Sequence, residues 1–168
     1  MEILIPGIAL VALMVYVSTR IKRSAAKAFD EELIETPDFA IKKPEGFIAP
    51  ADGNGTAFAA YSREFGTGAS DSTRQVSAEL RIHNSASLEE VRDAIVSSAS
   101  KLCSEQHLAG RSLMLETETT EKGNVLETDH RLIEKDGQVF ALAVTALSDT
   151  KEDQQRKIDT FLSSFDFK

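Results

Sequence analysis

Residues 113–147, LMLETETTEKGNVLETDHRLIEKDGQVFALAVTAL, divide into three runs of strand character. Leu113–Thr120, Asn124–Glu134 and Gln138–Leu147 are rich in β-branched and aliphatic residues, and Glu121-Lys122-Gly123 and Lys135-Asp136-Gly137 separate them at hairpin length. The last run, QVFALAVTAL, is apolar at successive rather than alternate positions. Such a strand is buried on both faces, so it is expected at the centre of a sheet with cover above and below. Downstream, Thr150-x-x-Asp153 opens a helix whose Ile158, Phe161, Leu162 and Phe165 form one stripe. Upstream, Ser87 and Glu90 have capping-box spacing, and Leu88, Val91, Ile95, Leu102 and Cys103 follow at helical intervals, which predicts a long helix over about 88–106. Val76, Ala78, Leu80 and Ile82 alternate with polar residues, the pattern of a strand wet on one face.

Earlier still, Phe58, Tyr61 and Phe65 suggest a strand within Thr56–Phe65, and Gly66–Thr73 (GTGASDST) reads as a mobile loop. In DFAIKKPEGF, Phe39 and Ile41 alternate with polar neighbours before the Pro44-Glu45-Gly46 turn, an edge strand and its turn. Strands, a helix, a meander and a closing helix make an α+β domain, an antiparallel β-sheet covered by two main helices. Three stretches resemble the PsbP/Mog-type fold: Phe39-x-Ile41-x-x-Pro44-x-Gly46-Phe47, Val139–Thr145, and Ile158–Phe165 ending in Ser163-Ser164-Phe165. That is the family of the extrinsic photosystem II subunit PsbP and of a nuclear-transport Ran-binding protein, together with many bacterial lipoproteins. The resemblance covers about residues 36–167, with Phe47 standing where such proteins often carry Trp. It implies a non-catalytic binding or assembly module and transfers no functional residue.

The N-terminus has a different character. Ile3–Val17 carries no charge and is followed by Ser18, Thr19, Arg20, Ile21, Lys22 and Arg23. Through Thr19, a helix of this run spans roughly 25 Å, near the lower limit for a bilayer core of about 30 Å. A cleaved signal peptide needs cations before the apolar run and small residues after it; here Glu2 precedes and cations follow. A buried helix in so small a protein would show a polar stripe, which is lacking. The expectation is therefore a single-pass transmembrane anchor over residues 1–19, a basic juxtamembrane helical stalk over 20–35 and a soluble α+β domain over 36–168. Arg20, Lys22, Arg23 and Lys27 place the domain on the cytoplasmic side of a bacterial inner membrane with the N-terminus outside.

Of 19 Lys/Arg and 27 Asp/Glu, four cations lie in residues 20–27 and Glu2 is the only acid before residue 28, which leaves 15 cations against 26 acids beyond it. A body of net −11 is held off an anionic leaflet while the collar sits at the headgroups. The same charge excludes nucleic acid as a ligand, because that affinity depends on clustered cations, and it favours partners with positive surface. One cysteine, Cys103, rules out an intramolecular disulfide.

Few residues offer chemistry. Cys103 and His107 share a face of the predicted helix, but two ligands do not make a zinc site, and His83 and His130 lie on separate strands; a packed helix face accounts for the pair. A Cys/His nucleophile needs an orienting third group that the sequence does not reveal. Asp52-Gly53-Asn54-Gly55-Thr56 lacks the closing Glu of a calcium loop and reads as a turn. Gly66-Thr67-Gly68 lacks the Lys-Ser/Thr of a phosphate loop. Glu116, Glu118 and Glu121 form the densest acidic cluster with Glu127, Asp129 and Glu134, either a solvated sheet face or a docking patch for a basic partner. Gly7, Ala9 and Ala12 would let another membrane helix approach closely.

No catalytic group, metal or cofactor is expected. The sequence points to a non-enzymatic, membrane-anchored accessory or assembly subunit of a larger integral-membrane complex, touching anionic lipid headgroups through Arg20, Lys22 and Arg23. The alternative is a membrane-tethered small-molecule-binding or sensory domain; a Cys/His-dependent enzyme ranks behind both.

Overall fold

Turn chemistry and hydrophobic period place the elements. The computed structural model describes residues 14–20, 27–50 and 55–168. The first strands are β1 (Glu32–Glu35), β2 (Phe39–Lys43), β3 (Phe47–Ile48), β4 (Phe58–Ser62) and β5 (Val76–Asn84). Helix α1 (Leu88–Ser98) follows, then β6 (Lys101–Leu108), β7 (Ser112–Glu121), β8 (Asn124–Lys135) and β9 (Gln138–Leu147), and the chain closes with α2 (Lys151–Ser164) and β10 (Asp166–Phe167). Lys122-Gly123 and Asp136-Gly137 join β7 to β8 and β8 to β9 as two-residue turns in which all four residues take positive φ. That mirror-image turn geometry matches the twist of paired strands.

The large sheet runs in the order β3-β4-β5-β9-β8-β7-β6, wholly antiparallel, with β9 in the middle. The side chains of β9 divide between two cores. Phe140, Leu142, Val144 and Ala146 join Ile158, Phe161 and Leu162 of α2, whereas Val139 and Ala141 join Leu88 and Val91 of α1. The helices thus cover opposite faces, and the double-sided apolar pattern of β9 has its physical cause. A second sheet, β1-β2-β10, brings Phe39 and Ile41 against the α2 core. Ser87 and Glu90 form the reciprocal capping box at the start of α1.

Several expectations need correction. The helix predicted over 88–106 stops at Ser98, and residues 101–108 form β6, so the meander has four strands rather than three. Ser97 and Ser98 turn their hydroxyls back to the carbonyls of Asp93 and Ile95, and Ala99 adopts extended backbone; serine side chains that compete for helical carbonyls weaken a helix end. The helical stalk assigned to 20–35 gives way at its end to β1, where Leu33 faces Lys42 and Ile34 faces Ile41. Strand β2 is the middle of its sheet, not an edge. There are two sheets where one was expected. The segment 66–73 contains a 3-10 turn at Gly68–Ser70, with Ser70 buried and Gly66 packed so closely on Ser70 and Leu147 that a Cβ has no room.

Residues 14–20 are helical and exposed. The rest of the anchor, residues 1–13, lies outside the described residues, as do 21–26 of the stalk and 51–54 of the calcium-loop-like turn. Among the described residues no helix is long and apolar enough to cross a membrane.

Candidate functional site

Helix α1 is shorter than the sheet face it covers. It seats Leu88 and Val91 on Leu113, Leu115, Leu132 and Val139, and beyond that contact lies an open cleft of about 510 Å³. Strands β7, β8 and β9 contribute Thr117, Thr119, Thr128, Thr145, Ala143 and His130 to it. Period-two alternation explains the grouping: Thr117 pairs with Thr128, Thr128 with Thr145 and His130 with Ala143, so their side chains project to one face. Thr128 and Thr145 share a hydroxyl–hydroxyl hydrogen bond of 2.9 Å, and His130 Nε2 lies 3.0 Å from Thr117 Oγ1.

Burial lowers the His130 pKa from the ordinary 6.5 to about 4, so the ring is neutral at neutral pH. In the unfolded chain the ring takes up a proton as pH falls through 6.5; the fold refuses that proton until about 4. Stability from this group is therefore complete above 6.5 and is lost between 6.5 and 4. Discounted for the partial exposure of the ring, the loss is about 2 kcal/mol. His130→Gln is expected to flatten that part of the stability curve; urea midpoints at pH 7 and pH 4.5 for both proteins measure it, and equal acid slopes refute it.

On the opposite face, α2 begins with a lysine, which the positive end of a helix dipole disfavours. Three carboxylates offset that cost. Lys151 Nζ lies 2.7 Å from Glu116 Oε1, 3.1 Å from Asp129 Oδ1 and 3.2 Å from Glu127 Oε2. Burial works against the ammonium, but the hydrogen bond to Glu116 and the charge of Asp129 hold its pKa above the usual lysine value. Asp129 is pushed above the usual carboxylate range by burial, with Lys151 opposing. Glu127 is held below it, chiefly by the hydrogen bond from the Ser148 hydroxyl.

The residues singled out in the sequence separate accordingly. Glu116 belongs to the Lys151 cluster. Glu118 faces Glu127 on one side and Lys101 on the other, and Glu121 is exposed beside the hairpin turn. Arg20 is exposed on the 14–20 helix, whereas Gly7, Ala9, Ala12, Lys22 and Arg23 lie outside the described residues.

Cys103 and His107 do not share a helix face. Both sit exposed on edge strand β6, Cys103 at a shift in register, and His107 Nε2 is 3.6 Å from Glu105 Oε1. The core-facing position expected for Cys103 vanishes with the helix. Among the described residues no group of three or more His, Cys, Asp or Glu side chains is arranged to hold a metal ion.

No protein-family model matches the chain, and no curated protein sequence matches it. Solved structures do. LpqN of Mycobacterium tuberculosis, described as involved in cell envelope biogenesis, is 11% identical with a TM-score of 0.54, over 82% of this chain and 90% of that one. The cyanobacterial PsbP of Synechocystis is 14% identical with a TM-score of 0.56, over 83% and 94%. The Ran-binding protein Mog1p of Saccharomyces cerevisiae is 12% identical with a TM-score of 0.55, over 82% and 95%. Identities this low establish likeness of fold and nothing finer. The chain is PsbP/Mog-like in fold.

Proposed function

We propose that this PsbP/Mog-like chain is a non-enzymatic, membrane-anchored accessory or assembly subunit that holds its α+β domain against an integral-membrane complex on the cytoplasmic side. The observation that carries the reading is how the chain enters the domain. Phe29 accepts a hydrogen bond from the Gly46 N–H at 2.7 Å and lies under the Arg63 guanidinium, Lys43 donates to the carbonyls of Ala28 and Asp30, and β1 pairs along the whole of its length with β2. A segment fixed in the bilayer through Thr19 then leaves few residues of slack before the domain begins at about residue 28. A domain tethered so closely stands at a high effective concentration beside neighbouring membrane proteins, where weak contacts suffice.

Charge supports the same arrangement: the basic collar suits anionic headgroups and the acidic body suits a basic partner surface. The likeness in fold to a Ran-binding protein agrees with a protein-binding use. Extraction of the full-length protein from its own membranes in mild detergent, followed by native sizing, is expected to place it in an assembly much larger than its 18.3 kDa. Recovery solely as a monomer, or digestion of its bulk by protease added outside spheroplasts, overturns the reading.

A further inference from the structure

The cleft beside α1 offers hydrogen-bonding groups but little free charge. Glu79 and Arg81 pair with each other at 3.1 Å. The Glu90 carboxylate is committed to the capping box, accepting from the Ser87 N–H at 2.8 Å and the Ser87 hydroxyl at 3.2 Å. His83 stands with them among the lining residues. His130, which burial keeps neutral at neutral pH, uses Nε2 toward Thr117, and its other ring nitrogen makes no hydrogen bond to the described residues. Around these groups Val91, Ala94, Ile95, Ala141 and Ala143 present methyl groups.

A charged guest would exchange water for a surface on which Glu79 and Arg81 already satisfy each other and the Glu90 carboxylate already accepts from Ser87, and its desolvation would go largely uncompensated. A neutral guest bearing a hydroxyl or carbonyl meets a vacant ring nitrogen, threonine hydroxyls and apolar walls. The volume lies within the range of small-molecule sites, roughly 300–1,000 Å³.

We propose that this cleft is a binding site for an uncharged small molecule that has an apolar body and a hydroxyl or carbonyl group. The polar group bonds to the vacant His130 nitrogen, and the body lies against Val91, Ile95 and Ala143. The site stands independently of the tethering role, because no residue of it belongs to the collar or the Lys151 cluster.

Three probes that share one ring and differ in charge test it: cyclohexanol, cyclohexanecarboxylate and cyclohexylammonium. Each is titrated into the detergent-solubilised full chain while the ring resonances of the three histidines are followed by NMR, with His107 as the remote control. Cyclohexanol is expected to shift His130 saturably and to leave His107 in place, and the two ions to bind at least about tenfold more weakly. Ala143→Phe, which fills the floor, and Ala94→Trp, which fills the cleft from an exposed helix position that folding tolerates, are each expected to abolish the shift. An unresponsive His130, an equal response to all three probes, or an undiminished response in both variants overturns the proposal.

Discussion

Replacing Phe161 by alanine is expected to remove about 3–5 kcal/mol of unfolding free energy, much of what a domain of this size possesses. The ring is fully buried on the inner stripe of α2. It forms a T-shaped pair with Phe47 at 5.0 Å between centroids and 80° between planes, and Phe58 follows at 6.2 Å. These neighbours come from β3 and β4, and Ile158 and Leu162 belong to the same core. Phe47 and Phe58 are held by backbone pairing to Ser62 and Leu80, so they cannot move to fill the void, and a cavity that cannot collapse costs most.

Urea unfolding of the detergent-solubilised full chain measures the loss. Phe167→Ala, at a partly exposed ring on the periphery of the same core, is the control and is expected to lose about 1 kcal/mol. Equal losses for the two variants would mean that α2 does not lie on the sheet as described.

Whether an element could be read from the sequence depended on whether its environment imposes a period. Strand β9 is covered on both faces and β5 alternates, and each left a pattern in the composition. The capping box at Ser87 and Glu90 is a local device and was legible as such. Strand β6 is the reverse case: it is an edge, all but Leu102 of its residues are exposed, and no apolar alternation marks it. Leu102 and Cys103 continue the helical spacing of Val91 and Ile95, so the sequence pattern carries the helix through a segment that pairs as a strand.

Strand β1 was hidden for a related reason. ELIE is too short and too acidic to show a period of its own, and what makes it a strand is pairing with β2, from Glu35 opposite Ala40 to Glu32 opposite Lys43. The site was less legible than the fold. Its threonines and His130 are scattered over three strands, and only the register brings them to one face. Lys151 did leave a signal, a cation in the first turn of a helix, which requires compensating acids nearby.

Lys43→Met is expected to cost about 3 kcal/mol, with its clearest effect at the seam between the tether and the domain. Lys43 shares the inner row of β2 with Phe39 and Ile41 and is 1% exposed. Its ammonium finds no carboxylate within ion-pair reach among the described residues. It donates instead to three carbonyls, those of Ala28 at 3.2 Å, Phe47 at 3.0 Å and Asp30. Burying an ammonium costs several kcal/mol, and charge-assisted bonds of about 1.5–3 kcal/mol each offset that cost. Methionine keeps the shape and removes both terms.

What remains is the burden on the acceptors. Phe47 is fully buried and its carbonyl loses a donor, whereas Ala28 and Asp30 are exposed and their carbonyls can turn to water. The strand region therefore loses stability while residues 28–30 come free. Amide exchange at Gly46, whose N–H is donated to Phe29, is expected to accelerate, as is proteolysis after Lys27. If close tethering matters, co-migration with the membrane assembly weakens in the same variant. Lys42→Met is the matched control: its ion pair with Glu31 is exposed on both sides, and its loss is expected to cost less than about 1 kcal/mol. Indistinguishable stability and Gly46 exchange in the two variants would show that the ammonium of Lys43 does not fasten the tether.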